Sequence, residues 1–338
     1  MLNASMTKMM KLSALALLAL GLSAGAAQVP DRGAIDFIHL SDTHVIQRQG
    51  IDPAALPKEI ALKAKAGPNL LRFLSRVPAR HHVQFLVGSG DAADGYAFQG
   101  SANAMVWGQI QYFQSIASKS PVPFYAGLGN HDLTRYSVLS GKQSSDQAVA
   151  GEARAAWIRT VSVFAKGTYY SFEKVTEGRR FLFLVLDNGY YGGALDGQAP
   201  ADHNQRIQHL DHEQLYWMLG QLQAHPTEVP ILVMHIPLTD DEMSHQIENV
   251  LRAGTKAPVI LALVGHLHVS SAIDERPLSD GQTVFQVHTT AFFLDANNWR
   301  RIHMTKDCIW ISRADDQGRA QRVIKLAATA CPADLQLP

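Results

Sequence analysis

The chain has 338 residues, of which 46% are hydrophobic and 8% aromatic, a globular composition long enough for one large domain or two small ones. Lysine plus arginine (30) equals aspartate plus glutamate (30), so no bulk charge argues for specific nucleic-acid binding or for an anionic membrane surface. The compositional excess is histidine, at 15 residues.

The N-terminus has the form of an export signal. Lys8 and Lys11 make a basic n-region, Leu12 to Leu22 a short apolar stretch, and Ala24-Gly25-Ala26-Ala27 a small-residue cleavage region. The apolar stretch falls short of the ~20 residues that a membrane span needs, and no cysteine follows it to carry a lipid. Residues 1–27 are therefore expected to be a signal peptide, with an uncleaved anchor as the alternative, and residues 28–338 one domain. The leader's alanine-rich style suggests a bacterial exported protein, periplasmic or secreted, with no stable membrane anchor after cleavage. The two cysteines, Cys308 and Cys331, could pair in that oxidising compartment or stay as buried thiols.

Along the exported part, apolar runs end repeatedly in polar clusters. Ile35 to Leu40 predicts a buried strand ending in Ser41-Asp42-Thr43-His44. Ile60 to Val77 predicts an amphipathic helix closed by Pro78. Val83 to Val87 leads into Gly88-Ser89-Gly90-Asp91, where Asp91 is either a site carboxylate or a helix N-cap, and Asp94 is expected to support rather than ligate. A second helix is expected over Ala102 to Ala117, then a strand over Pro121 to Ala126 that runs into Gly127-Leu128-Gly129-Asn130-His131-Asp132. Residues from Leu133 to Val161 read as polar and then helical, an insertion bordering the site; Arg135 within it is expected to make a surface salt bridge rather than contact a phosphate.

Thr168 to Phe172 and Arg180 to Asp187 predict a hairpin around Glu177-Gly178, and Gly189 to Pro200 a loop. A helix is expected over His209 to Leu222, with His209 and His212 solvated. Pro230 to Met234 predicts a buried strand ending in His235-Ile236-Pro237, and Leu261 to Val264 another ending in Gly265-His266-Leu267-His268. Thr283 to Val287 and Cys308 to Ile311 complete the strands, and Asp315 to Gly318 a last turn.

Residues two apart in extended backbone face one side, so Asp42/His44 and His266/His268 can each aim at one place. In open α/β sheets, ligands gather at the carboxyl ends of strands. Gathered there, the five clusters supply two carboxylates (Asp42, Asp91), one amide (Asn130) and four imidazoles (His44, His235, His266, His268), with His131 left over. That mixture suits zinc, iron, manganese or cobalt better than calcium. Seven ligands exceed one tetrahedral ion, which points to two metals sharing a carboxylate.

The ordered blocks Asp42-x-His44, Gly90-Asp91, Gly129-Asn130-His131-Asp132, His235 and Gly265-His266-x-His268 resemble the calcineurin-like metallophosphoesterase superfamily. Leu186-Asp187 and Gln214-Leu215-Tyr216-Trp217 resemble its middle section. The resemblance implies a four-layer αββα sandwich of two mixed β-sheets flanked by helices. It implies Asp42, His44 and His268 on a first metal, Asn130, His235 and His266 on a second, Asp91 bridging, and His131 as the catalytic histidine that contacts the phosphate or protonates the leaving group. The implied cofactors are two divalent or trivalent ions, and the implied activity is hydrolysis of a small-molecule phosphomonoester or phosphodiester by a metal-activated hydroxide. The alternative is a non-catalytic metal- or phosphate-binding module on the same fold.

Two departures narrow the subfamily. The arginine of the protein serine/threonine phosphatase motif is missing from Asp91-Ala92-Ala93-Asp94-Gly95-Tyr96, and Asp94 stands where purple acid phosphatases carry a metal-binding tyrosine. The chain also lacks room for the extra C-terminal domain of exported 5′-nucleotidases. Exported phosphodiesterases resembling class III cyclic nucleotide enzymes, and broad phosphomonoesterases, remain. Specificity is expected to lie in residues 133–160 and 189–211.

Overall fold

The structure is a computed structural model and describes residues 33–47, 58–97, 104–139, 142–189, 210–316, 319–328 and 330–332. The expected signal peptide, the segment 190–209 with His209, and the turn residues 317–318 lie outside the described residues. In chain order the elements are β1 (Ile35–Leu40), α1 (Lys58–Arg80), β2 (Phe85–Ser89), β3 (Gly95–Ala97), α2 (Ala104–Ala117), β4 (Phe124–Gly127), β5 (Arg135–Leu139), β6 (Lys142–Asp146) and α3 (Ala150–Thr160). They continue with β7 (Tyr170–Thr176), β8 (Arg179–Val185), α4 (His212–Ala224), β9 (Val229–Val233), α5 (Glu242–Gly254), β10 (Val259–Val264), β11 (Ile273–Pro277), β12 (Thr283–His288), β13 (Arg300–Met304), β14 (Cys308–Arg313) and β15 (Arg322–Lys325).

Two six-stranded mixed sheets form, ordered β15-β14-β13-β1-β2-β4 and β11-β12-β10-β9-β8-β7. Alternating apolar residues of both sheets meet in one layer, where Phe37 stacks on Phe85 within the first sheet and meets Phe183 of the second edge-on at 5.6 Å. The outer face of the first sheet packs on α1, α2 and α3 through Ile38, Leu86, Leu74, Phe113 and Trp157. That of the second packs on α4 and α5 through Leu184, Leu232, Met218 and Ile247. Two sheets with helices outside each make the expected αββα sandwich. Strands β1, β2 and β4 are mutually parallel, as are β8, β9, β10 and β12. Their carboxyl ends therefore share an edge within each sheet.

Several elements differ from expectation. Pro78 does not close α1, which holds both Pro68 and Pro78 and runs on to Arg80. Each proline forfeits one helical hydrogen bond, but burial of Ile60, Leu70, Phe73 and Leu74 along one face outweighs that local cost. Residues 133–161 contain the β5–β6 hairpin, which joins β3 in a small third sheet before α3 begins. There Arg135 pairs with Asp146 at 2.5 Å. Asp211 caps α4 by accepting from the Gln214 amide, so that helix starts at His212; His212 is exposed and outside every metal-capable cluster of described residues.

Helix α5 and strands β3, β11, β13 and β15 were not anticipated. The α5 signals were present in Asp241, whose carboxylate caps Ser244 N, and in buried Met243, Ile247 and Leu251 at helical spacing. β13 is harder to read because it begins Arg300-Arg301, yet lies between β14 and β1. Both arginines are buried: Arg301 pairs with Asp36 of β1 at 2.8 Å, and Arg300 Nη1 donates to Gln321 at 2.6 Å.

Cys308 and Cys331 form a disulfide that ties the C-terminal segment to β14 across 23 residues. A loop of that length corresponds to about 3 kcal/mol of chain entropy removed from the unfolded state. Cys331→Ser is accordingly expected to lower the thermal midpoint by several degrees, read by differential scanning calorimetry with and without reductant.

Candidate metal centre

Each of the five sequence clusters follows a parallel strand: Asp42 and His44 follow β1, Asp91 β2, Asn130 and His131 β4, His235 β9, and His266 and His268 β10. Asp91 precedes no helix, which removes the capping alternative. The strand ends turn so sharply that Asp42, His44, Asp91, His266 and His268 all adopt left-handed backbone, with φ of 54°, 43°, 50°, 70° and 50°. Non-glycine residues rarely sit there, at a cost of roughly 1–3 kcal/mol each. Glycines make the close approach possible. A Cβ on Gly265 would lie 1.9 Å from Ser41 Oγ and 2.7 Å from Asp42 Oδ2, and one on Gly129 would lie 2.2 Å from Asp91 Oδ1.

All eight candidate residues come together. Donor atoms of Asp42, His44, Asp91 and His268 lie within 4.8 Å of one another. His44 Nε2 is 3.2 Å from His268 Nε2, and His268 Nε2 is 3.3 Å from Asp42 Oδ1. On the other side, His235 Nε2 is 3.1 Å from Asp91 Oδ2, and His266 Nδ1 is 3.1 Å from Asn130 Oδ1. The two histidine rings of that side stand 5.1 Å apart. Asp91 joins the halves: its Oδ2 is also 3.5 Å from His44 Nε2. His131 packs edge-on against His44 at 4.6 Å and stacks on Tyr136 at 4.9 Å.

The supporting hydrogen bonds decide which atoms face inward. His235 Nδ1 donates to the Ser89 carbonyl at 2.9 Å, and His44 Nδ1 to Asp94 Oδ1 at 2.6 Å, so Nε2 of each is the atom that can offer a lone pair to a cation. Asp91 Oδ1 accepts from the His131 amide at 2.8 Å, whereas Oδ2 accepts nothing. Asp91 Oδ2 and His235 Nε2 are buried without a hydrogen-bond partner, an arrangement that costs free energy unless something else binds those atoms. A carboxylate oxygen, an amide oxygen and imidazole lone pairs converging without donors fit divalent cations.

The electrostatics divide the rings: His44 and His266 are held neutral, while His235 keeps a proton that a bound cation would displace. Burial pushes His266 down to about 4, aided by His235, and lowers His44, so both present neutral rings. Burial also lowers His235, but Asp91 and Asp42 outweigh it and raise it to about 9. Burial alone would raise Asp91; His235 and His131 instead hold it well below the usual carboxylate range. His131 is raised, because Asp94 and Asp91 outweigh its burial.

Sequence reading missed three supporting residues. Asp132 is buried and accepts from the amides of Ala92, Ala93 and Gly129 at 3.1, 2.9 and 2.8 Å, pinning the loop after β4 to the loop after β2. Burial and the neighbouring Asp91 push its carboxyl up to about 8. Asn188 accepts from the His235 amide at 2.7 Å and donates to the Ile236 carbonyl at 2.8 Å. The third is Lys63, buried on α1 and paired with Asp94. Asp132, as the last residue of the Gly-Asn-His-Asp block, carried a sequence signal; Asn188 and Lys63 carried none.

A family model described as calcineurin-like phosphoesterase matches residues 35–270. The chain belongs to the calcineurin-like phosphoesterase family. Among solved structures, one described as the structure of PhoD aligns with a TM-score of 0.52 at 13% identity, covering 91% of this chain and 74% of that one. GAP50, described as the anchor in the inner membrane complex of Plasmodium, aligns at 0.45 and 12%, covering 89% of this chain and 91% of that one. Purple acid phosphatase PPD1 from seeds of yellow lupin (Lupinus luteus) aligns at 0.45 and 12%, covering 88% and 55%. No curated protein sequence matches the chain. The likeness to the PhoD structure is one of fold, and the family match spans all five strand-end clusters from β1 to His268.

The glycine contacts give a direct check. Gly265→Ala is expected to displace Asp42 and cut metal content at least tenfold, measured by plasma mass spectrometry after dialysis. Gly108→Ala, on α2 where an added methyl group would meet nothing within 4 Å, is expected to leave metal content unchanged.

Proposed function

We propose that this chain hydrolyses phosphoester bonds at a dinuclear metal centre. Asp42, His44 and His268 would hold one ion, Asn130, His235 and His266 the other, and Asp91 would bridge them. The observation that carries the reading is Asp91 Oδ2, a buried oxygen without a hydrogen-bond donor, 3.1 Å from His235 Nε2 and 3.5 Å from His44 Nε2. A carboxylate oxygen facing imidazole Nε2 atoms from both halves of the site is what a shared ligand requires. His266 and His268 divide accordingly, since one faces Asn130 and the other Asp42.

When bound, such a metal pair supplies Lewis acidity toward the phosphoryl oxygens and lowers the pKa of water from 15.7 towards about 7. The chain's own contribution is positional and acid–base. Asp42 is oriented by the His266 amide, which donates to it at 3.2 Å, and Asp91 by the His131 amide. His131 Nδ1 lies 3.1 Å from Asp94 Oδ1, off the hydrogen-bonding line, which turns Nε2 away from Asp94. With its pKa raised and its side chain 19% exposed, His131 can carry a proton at neutral pH and deliver it to the departing oxygen as the phosphorus–oxygen bond breaks.

The substrate is proposed as a small phosphoester, and the location as outside the cytoplasm. The signal-like residues 1–27 and the Cys308–Cys331 disulfide support that location, because disulfides persist in oxidising compartments. Among the described residues, no helix is long and apolar enough to cross a membrane.

Two variants separate the roles. His235→Ala is expected to lose metal from the second site together with nearly all hydrolysis of p-nitrophenyl mono- and diesters; activity equal to wild type would overturn the assignment. His131→Ala is expected to keep its metal content and lose about 10²–10⁴ in kcat. That loss should be largest on esters with poor leaving groups, as a comparison of alkyl and aryl phosphates would show.

A further inference from the structure

We infer that Lys63 is a positioning residue of the metal centre: its ammonium anchors the Asp94 carboxylate, which in turn orients both His44 and His131. The inference deepens the phosphoesterase reading and rests on it. Lys63 lies on α1, far in sequence from every strand end that supplies a site residue, and it is completely buried. Lysine is almost never fully buried unless its charge is matched. Here Nζ donates to Asp94 Oδ2 at 2.8 Å. It also sits 5.4 Å from the centroid of the Phe293 ring, and that ring packs edge-on against His44 at 4.9 Å and His268 at 5.3 Å.

The two oxygens of Asp94 are divided by this geometry. Oδ2 is taken by Lys63, and Oδ1 is left to face two imidazoles, His44 Nδ1 at 2.6 Å and His131 Nδ1 at 3.1 Å. A carboxylate held at one oxygen has fewer orientations open to it, so Oδ1 keeps its hydrogen bond to His44 and its charge against the His131 ring. His44 thereby turns Nε2 toward His268 and Asp91, and His131 keeps Nδ1 against the same Asp94 oxygen. Asp94 alone could swing about its own side-chain bonds and serve one ring at the expense of the other. The lysine on a 23-residue helix makes the carboxylate part of the rigid frame, as partners behind metal ligands commonly do.

A double-mutant cycle over Lys63→Met, Asp94→Asn and the pair tests this, with Zn²⁺ affinity measured by competition against a chromophoric chelator. Lys63→Met is expected to weaken Zn²⁺ binding by about 10–100-fold, the range typical of lost partners behind metal ligands. It should also lower kcat more on an alkyl phosphate than on p-nitrophenyl phosphate, with KM little changed, and Lys63→Arg should recover part of both. The double variant should bind Zn²⁺ no more weakly than Asp94→Asn if the carboxylate, and not the Phe293 contact, carries the lysine's effect. Unchanged affinity in Lys63→Met, or losses that multiply in the double variant, would overturn the inference. Should Lys63→Met fail to fold because it buries an unpaired anion, the double variant against Asp94→Asn still decides: equal affinity supports the inference and further loss refutes it. A wild-type chain that binds Zn²⁺ but cleaves neither ester would count against the proposed function, while the affinity cycle would still decide on Lys63.

Discussion

Asp91 carries one oxygen that the protein satisfies and one that it does not. The His131 amide occupies Oδ1 at 2.8 Å, and Oδ2 is buried between imidazole nitrogens contributed by both sheets. Much of the architecture serves this placement. β1 and β2 are parallel neighbours, so Asp42, His44 and Asp91 leave the first sheet side by side, and backbone hydrogen bonds from the Asp42 and His44 amides to Gly90 and Asp91 lock the two loops together. β9 and β10 do the same in the second sheet, where the Gly265 amide donates to the His235 carbonyl. The aromatic layer around Phe37, Phe85 and Phe183 then holds the sheets at the spacing that lets His235 reach Asp91.

The cost of this arrangement is backbone strain. Five of the seven proposed ligands stand at positive φ, in a conformation that strand ends adopt only when neighbours hold them there. Asp132 on three amides, Asn188 on His235 and Trp157, whose indole N–H donates to the Asp132 carbonyl at 3.0 Å, supply that restraint. Strained residues on an over-determined frame are preorganised for the binding proposed for them, since little reorganisation would remain to be done when charge arrives. The same frame explains why the helical segment after the β5–β6 hairpin, which sequence reading placed at the border of the site, sends its one buried tryptophan under the loop that bears Asn130 and His131.

Local patterns made much of this legible. The buried strands before each cluster are short apolar runs that stop at polar residues, with a glycine just before Asp91, Asn130 and His266, a pattern that depends on nearest neighbours alone. Two features that escaped reading, the strand β13 and the far end of α1, owe their form to distant partners. β13 opens with two arginines and is a central strand only because Asp36 and Gln321 neutralise or accept from them across the sheet. α1 keeps two prolines because a long buried face outweighs two missing hydrogen bonds. Neither compensation has a period or a composition that a sequence window can register.

The residue types and their order determined by themselves that this chain carries a mixed carboxylate, amide and imidazole set at strand ends, and hence that it resembles a dinuclear phosphoesterase. Ligand identity is written in side chains next to the strands that present them. Only the tertiary structure decided how those side chains are brought together and held: that Asp91 turns one oxygen without a hydrogen-bond partner to both halves, that His266 and His268 face different partners, and that Lys63 reaches Asp94. Those contacts join residues as far apart in the chain as Asp42 and His268, and their geometry exists only once two sheets and a helix have closed around them.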